Sequence, residues 1–362
     1  MKVAIVHDWL NQMGGAENVL EVMVSIFPDA PVFTTIYGPD LMTPAYKRWD
    51  IRTSWLNHAP AIHRHHQPYL PLYPAAVRSL DLRGYDLILS NKSGFIHGVK
   101  THPGQVHLCY CLAPTRYVWD YRSYASREQF GRLTGLVLAP LIAGLRRWDY
   151  QAAQRVDQFC AISTEIQQRI RTFYHRSSHI IAPPVDTDRF QPLSNPKQDY
   201  YFIVSRLIPY KRIDLAVRAF TQLGKRLIVA GDGRDRAALE SMAGPSVEFR
   251  GRLPWDEVAQ LMANCRAFIF PGYEDFGITP VEAQAAGRPV IAYAAGGALD
   301  TVLEGQSGIF FQEQTVDSLI EAIHRLEATS FDPQQIRQNA ERFSIPRFKQ
   351  ELMAWIDQHT SR

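Results

Sequence analysis

The chain has 362 residues, of which 46% are hydrophobic and 21% charged, with a formal net charge of +3. That length exceeds what a single core commonly organises, so two domains are expected, and the composition excludes a disordered chain. A charge this close to neutral argues against a nucleic-acid partner, which requires a concentrated basic face. Cys109, Cys111, Cys160 and Cys265 lie in apolar runs, and the single C-x-C has no second pair to complete a zinc site. They are read as buried free thiols, and no metal is expected.

The first apolar run, Val3–His7, predicts a strand, too short for a signal peptide because Asp8 follows at once. Gly14-Gly15 then leads into a helix beginning near Ala16. Strand-like runs continue at Asp86–Ser90, Val106–Cys111 and Gln158–Ile162. Leu133–Leu145 is apolar but too short to span a bilayer, and Pro140 interrupts it. It is read as a buried helical segment or, with Arg146 and Arg147, as a patch touching an anionic membrane surface. A second series of strands runs through Tyr200–Ser205, Arg226–Ala230, Val247–Arg250, Ala267–Pro271 and Pro289–Tyr293. Strands alternating with helices imply doubly wound parallel sheets. The predicted division is an N-terminal domain over 1–185, a Pro- and Asp-rich linker over 186–198, and a C-terminal domain over 199–344. A last helix over 345–362 is expected to cross back to the first domain.

Ligands of such sheets bind outside the carboxyl ends of the strands, at loops entering helices, so two facing domains would hold their ligand between them. Gly14-Gly15 allows close backbone approach ahead of a helix N-terminus, an anion site, although a lone Gly-Gly is also a plain turn. Its spacing is not that of a dinucleotide binder. Arg206 and Lys211 follow the strand Tyr200–Ser205 and suit a diphosphate, one by its planar fork and one as a point charge. Solvated surface cations would look the same. The most informative stretch is Phe268–Ala283. A buried strand ends in a loop bearing Glu274, then Phe276 and Gly277, and a helix starts around Ile278, Thr279 and Pro280. Proline suits a first helical turn. Glu282, one turn on, can accept two hydroxyls, as from a ribose diol. Either glutamate alone fits an acidic loop with a capped helix; two flanking a glycine-bearing helix start do not. Gly231-Asp232-Gly233 and Gly251-Arg252 end strands and could line a base pocket, or simply turn the chain. Gly296-Gly297 precedes a helix at Leu299–Leu303.

These motifs, in this order and over essentially the whole chain, resemble the retaining glycosyltransferases of family four, which have the GT-B architecture of two facing Rossmann-like domains with the donor in the interdomain cleft. Their E-x7-E signature corresponds to Glu274 and Glu282. Ser205-Arg206-Leu207 with Lys211 resembles the donor-diphosphate clamp, Gly14-Gly15 the N-terminal phosphate-side loop, and Gly296-Gly297 the late glycine pair. HDWLNQMGGAE, CYCLAPTRYVWD and EDFGITPVEA are most similar to bacterial mannosyltransferases of surface-polysaccharide assembly. That similarity implies GDP-mannose as donor, a glycan or lipid-linked acceptor, and a cytoplasmic site of action, peripheral at the inner membrane face. One departure stands out: Leu112 occupies the strand-end position where relatives commonly carry a histidine. His7, His97 and His107 are the available substitutes.

The resemblance implies a front-face, metal-free transfer with no cofactor. Arg206 and Lys211 would stabilise the leaving diphosphate and Glu274 would orient the sugar. Asp8, His97, Arg116 and Asp120 are the acceptor-side candidates. A UDP-sugar-dependent glucosyl-type transferase and a catalytically silent glycan-binding protein are the competing readings; a phosphorylase would require a pyridoxal lysine that no motif supplies.

Overall fold

The computed structural model describes residues 1–120, 132–197 and 199–360, with the side chains of 132–138 outside that description. It divides into two compact units, Met1–Pro183 with Phe348–Arg362, and Pro184–Arg347.

The first unit is built on a seven-stranded parallel sheet in the order β3-β2-β1-β4-β5-β6-β7. Its strands are β1 (Val3–His7), β2 (Val32–Thr34), β3 (Ile51–Thr53), β4 (Leu87–Lys92), β5 (Val106–Cys111), β6 (Gln158–Ala161) and β7 (Ser178–Ile180). The central strands β4 and β5 are buried almost throughout, as an apolar run covered on both faces must be. Helices close the faces with ordinary amphipathic logic. In Thr164–Tyr174, Ser163 caps the first turn by accepting from the Ile166 N–H at 3.2 Å, and Ile166, Ile170 and Tyr174 form the buried stripe.

The second unit has a six-stranded parallel sheet, β10-β9-β8-β11-β12-β13. The strands are β8 (Tyr201–Val204), β9 (Leu227–Ala230), β10 (Val247–Gly251), β11 (Phe268–Phe270), β12 (Val290–Tyr293) and β13 (Gly308–Phe311). Its core joins the strand side chains Ile203, Val229, Ile269 and Ile291 to Ile213, Ala216, Val217 and Phe220 of one helix, and to Leu319, Ile323 and Leu326 of another. Gly224, at φ +63°, ends the helix Ile213–Leu223 in the left-handed region that suits glycine.

Residues 186–198, read from composition as a linker, belong to the second unit. The cause is local bonding. Val185 donates its N–H to Phe343 O at 2.8 Å, and the Arg337 guanidinium donates to Phe190 O at 2.8 Å. The last helix, Ile345–Thr360, starts in the second unit and belongs to the first from Phe348 onward, where Phe348 meets Tyr110 edge-on at 5.5 Å.

Candidate donor site

In each sheet the chain leaves its first strand in both directions, which creates a switch point where a crevice opens at the carboxyl ends. In the second unit that point lies between β8 and β11. The loop after β8 carries Arg206 and Lys211, and the loop after β11 carries Glu274. Lys211 Nζ and the Glu274 carboxylate form an ion pair across the switch point, both partly buried. Arg206 donates through Nη2 to the Tyr210 hydroxyl at 3.1 Å, and Lys211 lies 5.4 Å from the centre of the Tyr210 ring. Tyr210 thus shapes both cations. It was not singled out from sequence, although its place between Arg206 and Lys211 was the available signal.

Backbone packing fixes this geometry. Gly297 donates its N–H to Glu274 O at 2.9 Å, and a Cβ on Gly297 would lie 2.2 Å from Phe276 Cα. Gly296, at φ +62°, has room for a Cβ only 2.3 Å from Glu274 O. The Glu274 loop is therefore pressed directly against the loop after β12. Gly272 packs in the same way on the Lys211 backbone, where a Cβ would sit 3.0 Å away. Phe276 is buried and packs edge-on to Phe343 at 5.6 Å, so its side chain anchors the loop.

Gly277, at φ +91°, caps the helix Ile278–Ala285. As first-turn residues, Ile278 and Thr279 present N–H groups with no intrahelical acceptor, and the helix dipole adds positive potential there. Glu282, in the same helix, is only 8% exposed, and its Oε2 is buried without a hydrogen-bond partner. Burial pushes its carboxyl up to about 7, with Asp186 raising it further and Arg189 pulling it back. The helix is held by Asn339, whose Nδ2 donates to Gln284 Oε1 at 2.5 Å and to Thr301 O at 2.9 Å. Those locking residues carry no motif and were invisible in sequence.

Beyond β9, Gly231 at φ +120° and Gly233 pack on the Ser205 and Leu207 carbonyls, where Cβ atoms would stand 1.9 Å and 2.1 Å away. Gly231 N–H donates to Gly251 O at 2.6 Å, so β8, β9 and β10 end in one interlocked turn set, with Arg252 exposed beside it. A cavity of 310 Å³ opens nearby, lined by Pro209, Arg212, Asp214, Asp235, Leu239 and Met242 among others. It holds none of the predicted donor residues.

In the first unit the switch point lies between β1 and β4. Asp8 fills it structurally. Its carboxylate accepts from the N–H groups of Ser93 (2.7 Å), Gly94 (2.6 Å) and Ile96 (2.8 Å), and the residue is 1% exposed. His97 is also fully buried, its Nε2 3.3 Å from Asp149 O, and burial lowers its pKa well below the usual value. Neither side chain is placed to meet a ligand from solvent. Arg116 and Asp120 are partly exposed at the two ends of the short helix Arg116–Trp119. Of the other histidines, His7 lies 3.4 Å from Glu17 Oε1, and His107 is bonded to Ser90 Oγ at 2.5 Å. Leu112 donates its N–H to Lys92 O at 2.8 Å. Gly14 and Gly15 are exposed, with Gly14 the extended cap of the helix Gly15–Ile26.

A buried hub holds the segment after β5. Asp149 accepts from Thr115 Oγ1 (2.7 Å), Trp119 Nε1 (2.7 Å) and Tyr174 OH (2.8 Å), while Lys92 Nζ donates to Ala113 O at 2.8 Å. Among the described residues, no group of three or more His, Cys, Asp or Glu is placed to hold a metal ion. No described helix is long and apolar enough to cross a membrane. Of the apolar stretch 133–145, the side chains of 133–138 lie outside the described residues. Ile142 and Leu145 are buried, and the Arg146 guanidinium donates to Val118 O at 2.5 Å and 3.1 Å.

Two parallel-sheet Rossmann-like units make up the GT-B fold. Sucrose-phosphate synthase from Thermosynechococcus elongatus superposes with a TM-score of 0.74 at 17% identity, covering 99% of each chain. HepE of Anabaena, solved with UDP and glucose, gives 0.69 at 20% identity, again with 99% of each chain covered. Residues 184–343 match the model of the glycosyl transferases group 1. A GDP-mannose-dependent alpha-(1-6)-phosphatidylinositol monomannoside mannosyltransferase of Mycolicibacterium smegmatis is 31% identical over 177 residues, 41% of this chain and 46% of that one. An uncharacterized glycosyltransferase of Methanocaldococcus jannaschii is 29% identical over 40% of this chain and 44% of its own. The chain thus spans less than half the length of these curated relatives.

Proposed function

We propose that this protein is a retaining, metal-independent glycosyltransferase that moves a hexose from a nucleoside diphosphate onto a hydroxyl of a glycan or lipid-linked acceptor. The donor in this reading is GDP-mannose, as the name of the mycobacterial relative suggests. The observation that carries it is Glu282: a buried carboxylate with a partnerless oxygen, one turn into the helix Ile278–Ala285, which starts four residues after Glu274 of the Lys211–Glu274 pair. A buried acceptor without a donor costs free energy, and a ribose hydroxyl supplies that donor. The diphosphate charge would be met by Arg206, Lys211 and the first turn of Ile278–Ala285. In the transfer, the bond between the anomeric carbon and the phosphate oxygen breaks and its electron pair leaves on the diphosphate. The acceptor oxygen bonds to the same face of the sugar, and its proton passes to a phosphate oxygen. Arg206 and Lys211 stabilise the departing charge, and Glu274 orients the sugar and holds Lys211 in place. No cofactor enters this scheme. The protein would act in the cytoplasm, peripherally at the inner membrane face, where lipid-linked acceptors are found.

Incubation with GDP-mannose, UDP-glucose and a lipid-linked acceptor tests the reading. Glu274→Gln and Lys211→Met should each lower turnover by about a hundredfold, the scale of losing one oriented charge at a reacting centre. Turnover indifferent to both substitutions refutes the site assignment. Turnover of UDP-glucose alone would select the uridine donor, a reading favoured by HepE, which was solved with UDP. Leu112 in place of a histidine favours a silent glycan-binding protein, which would bind donor and never turn it over.

A further inference from the structure

The cavity of 310 Å³ in the second unit is set apart from the donor cluster by the way the sheet is wound. Its walls come from the turn Pro209–Lys211 and from the helices Ile213–Leu223 and Arg236–Met242. Those helices follow β8 and β9, where the chain steps through the sheet from β8 to β9 to β10. The helix bearing Glu282 follows β11, where the chain steps the other way, to β12. Right-handed crossovers that progress in opposite directions place their helices on opposite faces of one sheet. The cavity and Glu282 therefore do not share a face.

The cavity has an apolar floor. Ile213 and Leu239 belong to the core and Met242 packs against it, while Ile208, Pro209 and the exposed Ala238 complete the lining. Two carboxylates and one guanidinium stand among them. Arg212 is already committed: Nε and Nη2 donate to the two oxygens of Asp214 at 3.1 Å and 3.2 Å, and Nη1 donates to Gln314 Oε1 at 3.4 Å. Asp235 is different. It is half-buried, and its carboxylate has no hydrogen-bond or ion-pair partner among the described residues. It precedes the helix Arg236–Met242 without capping it. The neighbouring Arg236 is not part of the lining and donates instead to Glu240 Oε1 at 2.8 Å.

We propose that this cavity binds a small organic cation, a primary ammonium on a compact apolar body. The ammonium gives Asp235 the donor it lacks, and the apolar body covers Leu239 and Met242. An anion would meet more carboxylate than guanidinium. A neutral ligand would leave Asp235 unpaired, and a bare metal ion would find too few oxygens and leave the apolar floor unused. The site goes beyond the proposed function and owes nothing to sugar transfer.

The test is a nuclear magnetic resonance titration of the full chain, isotope-labelled at its methionine methyl groups, with benzylammonium. Benzyl alcohol and benzoate serve as neutral and anionic ligands of the same shape, and M242L identifies the Met242 signal. That signal should shift with benzylammonium and saturate in the millimolar range expected of so small a ligand. Benzyl alcohol and benzoate should each bind at least about tenfold more weakly, and D235N should lower benzylammonium affinity by about tenfold or more. A238F, at an exposed position of the lining, should fill the cavity and abolish the shift. Unchanged melting temperatures would exclude unfolding of the variants, and D235S and A238L supply the same readings if either first choice does not fold. The proposal is overturned if the Met242 signal ignores benzylammonium, if benzoate binds as well, or if D235N binds as wild type does. None of these signals involves donor or turnover, so the transferase reading stands or falls apart from them.

Discussion

Replacing Glu282 with glutamine separates a cost of folding from a gain in binding. Burial raises this carboxyl from its ordinary value near 4.5 to about 7. Between those values the folded chain keeps a proton that the unfolded chain has released, so stability falls as pH climbs through that window. At 1.36 kcal/mol per pH unit, the folded state carries a cost of about 3 kcal/mol once Glu282 is ionised. Glutamine keeps the shape and removes the charge. E282Q should therefore match wild type near pH 4 and exceed it at pH 8 by up to about 3 kcal/mol, or on the order of 5–10 °C in melting temperature. Urea unfolding of both proteins across pH 4–8 gives the difference directly, and titrations elsewhere cancel in it. Binding should run the other way. A ribose diol donating to the ionised carboxylate makes nucleoside diphosphate affinity rise with pH through 7 in wild type and stay flat in E282Q. Parallel stability profiles for the two proteins would refute the argument, because the carboxyl would then not be the strained group that the structure describes.

Gly297→Ala should abolish donor binding by calorimetry while leaving the first unit folded, since its Cβ would lie 2.2 Å from Phe276 Cα and force the Glu274 loop aside; unaltered affinity would show that the loop tolerates movement. Asp149→Ala strips the acceptor from Thr115, Trp119 and Tyr174 and should cost about 3 kcal/mol or more in urea unfolding, with Asp149→Asn recovering part of it. An Asp149→Ala loss below about 1 kcal/mol would remove the hub from the account of stability.

The cluster at the second switch point was legible in the sequence because its parts sit at strand ends of one sheet, where spacing along the chain translates into position. Arg206, Lys211, Glu274 and Glu282 need only the alternation of strand and helix to be brought to one end. The burial and partners of Asp8 and His97 were not legible, for the opposite reason. Their partners, Ser93 to Ile96 and Asp149, lie far along the chain, and a buried structural carboxylate has the same letter as a ligand-binding one. Strands β2, β3 and β7 escaped notice because three residues carry no period. Composition reports turns over residues 186–198 but not the Arg337 and Val185 bonds that tie those turns to the second unit.

The contact between the Gly296-Gly297 turn and the Glu274 loop is made by main chain on both sides. A joint of this kind is blind to the lettering of the loop it supports. Side chains at the half-buried Ile278 and Thr279 can be exchanged without touching this main-chain joint, whereas the two glycines admit no exchange at all. The turn behaves as a fixed socket into which different loops can be written, and a library that varies the loop while sparing the socket would keep the fold.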